Sequence, residues 1–393
     1  MDPRKNPYAP GAGTAPPELA GRNELIERAA VALDRIRTGR AARSLVLHGL
    51  RGVGKTVLLN RIETDAQARG LAGVKIEAPE ERSLPALLIP ALRVALLRLD
   101  RGKRIRANLR RAGRALAGFA KSLRVKYKDI EVTTDFEPER GLADSGDLDT
   151  DLTDLLAAVG KAGREYDTAV VLFVDELQYV AEQQLASLIR ALHSASQQQL
   201  PITMLAAGLP QLIGQMGRAK SYAERLFEFV EIDRLDDEAA RAALSVPARK
   251  EGVRFAENAI EEILRHTEGY PYFLQEWGRH CWNVAESSPI LPADARRATK
   301  FALAELDAGF FRVRFDRLTP AEKRYLRAMA ELGPGPHRSG DIAERLGKNV
   351  TSVAPVRGTL VAKGMIYSPA HGDTAFTVPL FDGFMKRIMP QLA

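Results

Sequence analysis

The chain has a single cysteine, Cys281, among its 393 residues. That excludes an internal disulfide and any metal centre built on a cysteine cluster. No apolar run approaches the ~20 residues that a membrane helix needs. The opening residues, MDPRKNPYAPGAGTAPPEL, place no apolar core behind their basic residues, so they do not read as a secretory signal. No internal repeat is visible. Together these absences favour a cytoplasmic protein that does not sit in a membrane. An absence of another kind marks residues 101–128. They hold no acid, yet they carry Arg101, Lys103, Arg104, Arg106, Arg110, Arg111, Arg114, Lys121, Arg124, Lys126 and Lys128.

What is present fits a globular chain, 45% apolar and 27% charged. Its length exceeds one ordinary core and predicts two or three domains. The net charge of +7 permits an acidic partner such as nucleic acid, although diffuse charge is a weak pointer. Residues 1–19, rich in Pro, Gly and Ala, read as an extended arm. A helical pattern runs from Glu18 to Ile36. Strand-like runs follow at Ser44–His48, Gly73–Glu77, Ala169–Val174, Ile202–Ala206 and Phe229–Ile232, with helical patterns between them. This alternation predicts an α/β core over 20–232, a parallel sheet with helices on both faces. A charged insertion interrupts it at about 100–150. Its basic half reads as one amphipathic helix, then an extended piece at Val125–Thr133. Its acidic half, 129–154, reads as a loop. The basic face serves as a solvated surface, a DNA contact or a subunit interface.

Residues 233–317 read as α-helical. After Leu318 three helical segments precede a hairpin signal, with AHGD between MIYSP and TAFTVP. That order, over 318–393, is the order of a winged helix-turn-helix. Its recognition helix would run from Ser352 to Lys363. Arg338, Lys348, Arg357, Lys363 and His371 are its candidates for phosphate contact. Winged helices also dock proteins.

Gly49-Leu50-Arg51-Gly52-Val53-Gly54-Lys55-Thr56 fits the phosphate-loop pattern G-x-x-x-x-G-K-[ST] without mismatch, and Val57 continues into the helix. The glycines let backbone N–H groups face a β-phosphate. Lys55 would bridge the β- and γ-phosphates, and Thr56 would ligate Mg²⁺. In VVLFVDELQYV, Asp175 stands at the end of an apolar strand and would hold Mg²⁺ through water. Glu176 would polarise the attacking water.

These motifs resemble the AAA+ and STAND P-loop ATPases, and within them the branch of the archaeal and eukaryotic origin-recognition ATPases. The resemblance covers roughly residues 6–311. It implies an ATP-binding, ATP-hydrolysing core under a helical lid. Gly21 and Arg22 match a box that shapes the adenine pocket, with Tyr8 or the backbone near Leu19 and Ala20 lining the base. The alternative for Gly21 to Glu24 is a plain helix start. Arg225 lies in register with an arginine finger that acts on a neighbouring subunit, or belongs to a surface helix. Gly269-Tyr270-Pro271 resembles the G-x-P motif of the STAND switches. A polar residue expected after the fourth core strand is missing, since Gly208 stands there with Gln211 nearest. That departure predicts slow or partner-triggered hydrolysis. The resemblance implies an ATP-dependent DNA-binding protein or assembly switch. The alternatives are a signalling switch whose tail docks an unknown protein, and a helper ATPase of a mobile element or defence system. Duplex DNA would bind through the tail and residues 101–128, and a homo-oligomer is compatible.

Overall fold

The computed structural model describes residues 1–11, 13–99, 106–130 and 136–392. It divides into two compact units. One comprises residues 23–48 and 55–231; the other comprises residues 1–22, 49–54 and 232–393.

The first of these is a doubly wound α/β unit. Helix α1 (Asn23–Arg37) leads into β1 (Ser44–His48), and α2 (Lys55–Ala68) into β2 (Ala72–Glu77). Then come α3 (Leu84–Leu99), α4 (Ala107–Leu123) and α5 (Leu148–Glu165), before β3 (Val170–Asp175). Helix α6 (Glu182–Gln197), β4 (Ile202–Gly208), α7 (Leu212–Ala219), α8 (Ala223–Leu226) and β5 (Phe227–Glu231) complete it. The strands are all parallel, in the order β2-β3-β4-β1-β5. Every residue of β1, β3 and β4 is buried, as a strand covered on both faces requires. His48 is level with Gly208, and Val174 with Ala206. The carboxyl ends of β1, β4 and β3 therefore lie side by side, where open α/β sheets bind ligands.

The insertion is built into this core. Helix α4 buries Leu109, Ala112, Leu116, Phe119 and Leu123, and its Arg110, Arg111, Arg114 and Lys121 are exposed. Glu139 approaches Arg111 at 3.8 Å and Arg114 at 3.6 Å, so part of the basic face is neutralised locally. Gly113 lies under the Phe136 ring, where a Cβ would come within 2.4 Å of it. Two expectations are corrected here. Residues 125–130 form turns rather than an extended piece; Glu131 to Thr133 fall outside the described residues, as do Arg101, Lys103 and Arg104. The acidic stretch is not all loop, because α5 starts at Leu148. Asp147 caps it by accepting from the Thr150 amide at 2.9 Å, and Asp149 and Asp151 suit the positive end of the helix. Asp151 is fully buried. It accepts from Ser122 Oγ, the Ser145 amide and hydroxyl, and the Gly146 amide, at 2.7–2.9 Å, and so pins the loop before α5.

The second unit is mostly helical. It contains α9 (Asp237–Lys250), α10 (Glu257–Thr267), α11 (Pro271–Val284), α12 (Pro292–Ala308) and α13 (Arg312–Asp316). The tail continues with α14 (Pro320–Glu331), β6 (His337–Arg338), α15 (Ser339–Arg345), α16 (Val350–Ala362), β7 (Ile366–Tyr367), β8 (Asp373–Phe376) and α17 (Phe381–Ile388). Its strands form an antiparallel sheet in the order β6-β8-β7. The order of helices and strands is the one expected for this tail, and the segment expected as its recognition helix lies in α16. One apolar core runs through helices and tail alike. Phe311 stacks on Phe384 at 5.3 Å and meets Phe381 edge-on at 5.8 Å and Phe273 at 6.3 Å. The N-terminal arm joins the same core. Tyr8 is only 4% exposed and donates to the Leu244 carbonyl, and Asn6 Nδ2 donates to the Arg279 carbonyl at 3.0 Å. Gly278 provides the space, since a Cβ there would meet the Tyr8 ring at 2.6 Å. Tyr8 is thus committed to this core, and of the two expected linings for the base only the backbone near Leu19 and Ala20 is not taken up by it.

Candidate nucleotide-binding site

The phosphate loop follows β1 and precedes α2, as the motif requires. Gly52 and Gly54 turn it with φ of +83° and +91°, values at which a side chain would be strained. Gly49 admits no Cβ either, because one would lie 2.0 Å from the Ile232 carbonyl oxygen. Val53 is buried, and Leu50 and Arg51 are half-buried. Two backbone groups of the loop are bonded within its own unit. The Arg51 amide donates to the Thr377 carbonyl at 2.9 Å, and the Gly52 carbonyl accepts from the Tyr272 amide at 3.1 Å.

The second bond explains Gly269-Tyr270-Pro271. Gly269 has φ +76°, and a Cβ there would lie 2.6 Å from the Leu235 carbonyl oxygen. The Leu235 amide donates to the Gly269 carbonyl at 3.0 Å. Pro271 then opens α11, where its missing N–H is not needed. Tyr272, next in line, supplies its amide to Gly52 and stacks its ring on Phe310 at 4.6 Å. Arg22 is tied down as well: its guanidinium donates to the Asp233 carbonyl. Burial lowers its pKa, against the opposing pull of Asp233 and Asp236. Gly21 before it has φ +69°.

In the α/β unit, Lys55 and Thr56 open α2 with Val57 half-buried behind them, and Asp175 ends β3. The Thr56 hydroxyl donates to the buried Asp175 carboxylate. Burial raises the Asp175 pKa; Thr56 opposes it, the charge of Glu176 adds to it, and Lys55 lowers it. A buried carboxylate beside a hydroxyl is a pair of hard-oxygen donors that fits Mg²⁺, and the Lys55 ammonium near them suits phosphate oxygens. At the end of β1, burial lowers the His48 pKa, so the imidazole is neutral at pH 7 and does not repel a cation.

Glu176 has φ +53°, a left-handed conformation that costs a non-glycine residue on the order of 1 kcal/mol or more. The Glu176 amide donates to Asp175 Oδ1 at 2.9 Å, and its carboxylate accepts from Gln178 Nε2. Gln178 was not singled out in the sequence. The signal was there, a lone amide in the apolar run LQYV directly after the acidic pair. The polar side chain that reaches the end of β4 belongs to Gln178, not to Gln211: Gln178 Oε1 accepts from the Leu209 amide at 3.1 Å. Arg225 is exposed on α8, and its guanidinium makes no hydrogen bond or ion pair among the described residues.

The tail redistributes its basic candidates. Arg357 donates from Nε to Thr374 Oγ1 at 2.9 Å and from Nη2 to the Asp373 carbonyl at 3.1 Å, so it braces the hairpin. Lys363 bonds Glu322 at 2.8 Å. Arg338 stands 3.8 Å from Asp373, while Lys348 and His371 are exposed. A cleft of about 410 Å³ beside α16 is lined by Arg324, Arg345 and Lys348. The exposed face of α16 itself, Thr351, Ser352, Ala354, Pro355, Gly358 and Thr359, carries no charge. Among the described residues no helix is long and apolar enough to cross a membrane.

Comparison with known proteins bears on each part of the chain. Residues 18–205 match the model of the AAA ATPase domain, and residues 308–385 match a domain of unknown function (DUF8462). An uncharacterised HTH-type transcriptional regulator of Methanocaldococcus jannaschii is 23% identical over 218 residues, 53% of this chain and 53% of that protein. The chain thus spans about half the length of the curated relative it matches. Among solved structures, the Walker-type ATPase PABY2304 of Pyrococcus abyssi shares the fold. It has a TM-score of 0.62 at 18% identity, over 95% of this chain and 97% of that one. The Aeropyrum pernix Orc1 protein, solved in complex with DNA, has a TM-score of 0.49 at 15% identity, over 95% of this chain and 94% of that one.

Proposed function

We propose that the protein, whose residues 18–205 match the model of the AAA ATPase domain, is a nucleotide-controlled switch whose C-terminal tail engages duplex DNA. The observation that carries this reading is the hydrogen bond from the Arg51 amide to the Thr377 carbonyl. A loop that must wrap a phosphate is bonded to the segment that ends the tail's hairpin. A second link runs from Gly52 through Tyr272 and Phe273 to Phe311 and Phe384. Closing the loop on a nucleotide then changes the support of the tail.

In this reading Gly49 to Val57 cradle ATP, Lys55 meets the β- and γ-phosphates, and Thr56 and Asp175 hold Mg²⁺. When bound, Mg²⁺ neutralises charge on the phosphates. Glu176 takes the proton of the attacking water as the water oxygen bonds to the γ-phosphorus. The bridging oxygen leaves with ADP, and the proton passes on to solvent. Arg22 and Pro271 set the base-side entrance by holding the segments at Asp233 and Tyr272. Arg225 points to a homo-oligomer in which it reaches the γ-phosphate of a neighbour.

DNA contact is supported by Arg324, Arg345 and Lys348 around one cleft, and by the HTH-type description of the archaeal relative. The exposed arginines of α4 add a further phosphate-binding face. The origin-recognition branch of AAA+ proteins remains the family reading that these features suit. The test is duplex-DNA binding across a salt series with ATP, with ADP and without nucleotide. Nucleotide-dependent affinity that falls steeply with salt is expected. Equal, negligible binding in all three states sinks the reading. A second reading, a signalling switch whose tail docks a protein, is favoured by the uncharged face of α16. It predicts a change of assembly only with a protein partner.

A further inference from the structure

We infer that Gln178 is the positioning residue of the hydrolytic step, holding the Glu176 carboxylate and tying it to the end of β4. The inference rests on the reading of Glu176 as the base. Gln178 is 6% exposed, and both ends of its amide are used. Oε1 accepts from the Leu209 amide at 3.1 Å and Nε2 donates to Glu176. These partners fix the amide's orientation independently, because an N–H needs an acceptor and a carboxylate needs a donor. The Gln178 carbonyl in turn accepts from Gln215 Nε2 at 3.3 Å.

Gly208 is the complement of this arrangement. A Cβ there would lie 2.7 Å from Gln178 Oε1 and 2.7 Å from Leu212 Cδ2. The strand end that lacks a polar side chain has ceded its space to one that arrives from β3. The space that a side chain at Gly208 would need is therefore taken by Gln178. The physical need is plain. Glu176 sits on a left-handed backbone in a loop, and a carboxylate there sweeps several rotamers unless a second group restrains it. A buried amide anchored on a sheet strand supplies that restraint on rigid backbone.

The experiment compares Gln178→Met, which keeps the volume and loses both bonds, with Gln178→Glu, which keeps the acceptor for Leu209 and loses the donor to Glu176. Glu176→Gln serves as the reference. Hydrolysis, nucleotide affinity and amide exchange at Leu209 in the nucleotide-free protein are measured for each. Both Gln178 variants are expected to lose about 10- to 100-fold in kcat. Their nucleotide Kd should stay within about twofold of the unsubstituted protein. Leu209 should exchange faster in Gln178→Met and remain protected in Gln178→Glu. Unchanged or increased kcat in either variant, with Glu176→Gln inactive, overturns the inference and leaves the base in place. Loss of nucleotide binding together with kcat makes Gln178 merely structural and also overturns it. Persistent hydrolysis by Glu176→Gln removes the base reading itself, and the inference falls with it.

Discussion

The amide of Arg51 donates to the carbonyl of Thr377, 2.9 Å away. One residue lies in the phosphate loop and the other directly follows the strand that closes the C-terminal hairpin. Nucleotide is therefore expected to alter amide exchange over residues 373–380 as well as in the loop. Hydrogen exchange with and without a non-hydrolysable ATP analogue measures it. A response confined to residues 45–60 would show that the bond transmits nothing.

Lys55→Ala should abolish nucleotide binding, because the backbone cradle alone leaves the β- and γ-phosphates without their cation. Glu176→Gln should bind nucleotide normally and lower turnover by roughly 10²- to 10⁴-fold, the usual contribution of a positioned general base. Calorimetric titration and phosphate release separate the two. Normal turnover by Glu176→Gln moves the base elsewhere.

The basic side chains of the tail divide by what they already bond. Alanine at Arg324, Arg345 or Lys348 should weaken duplex binding across all sequences and reduce the salt slope by about one for each phosphate no longer neutralised. Arg357→Ala should instead lower the tail's thermal stability, since that guanidinium braces Thr374 and Asp373. If the three cleft variants bind like the unsubstituted chain, DNA does not use this cleft.

Phe311 joins the lid helices to the tail through Phe273, Phe381 and Phe384. Phe311→Ala empties a fully buried site and should cost about 3–5 kcal/mol. Lid and tail should lose stability together, in one transition by calorimetry. Two transitions, with only one shifted, would mean that the shared core is not cooperative.

Glu322 closes the capping box of α14, accepting from the Thr319 amide at 2.7 Å and from Lys363 at 2.8 Å. Burial pushes its pKa up, but the hydrogen bonds from Lys363, the Thr319 amide and the Thr359 and Thr319 hydroxyls together outweigh it, and the net shift is downward. The unfolded carboxyl therefore binds protons first as pH falls below about 4.5, and the stabilisation is lost as pH drops through the folded value. Glu322→Gln should be less stable than the parent at pH 7, and the gap should narrow only as pH falls below about 4.5. A gap that does not change with pH in urea melts would assign the loss to packing.

The five strands of the parallel sheet were legible because each is a short, mostly apolar run between turn residues: Ser44–His48 agrees end to end, and the other four agree within two residues. Helix α5 was partly hidden. Its first turn is acidic and read as loop, although Asp147 and the acids behind it are what a helix N-terminus attracts. The phosphate-loop motif, Asp175 and Glu176 stand out in the sequence because the roles proposed for them are tied to fixed spacing. Gln178 was not, since an amide two residues after the acid gains meaning only when a distant strand end comes beside it.

Sequence by itself determined the local elements and the class of chemistry: a glycine-rich loop between a buried strand and a helix, with an acidic pair after an apolar strand. Periodicity and spacing are short-range properties, and a single chain records them. Only the tertiary structure decided which polar groups are already used. Arg357 and Lys363 proved internal, Tyr8 proved buried, and Gly208 proved to be the space beside Gln178. Such pairings depend on residues far apart in the chain meeting under close packing, which periodicity along the chain does not encode.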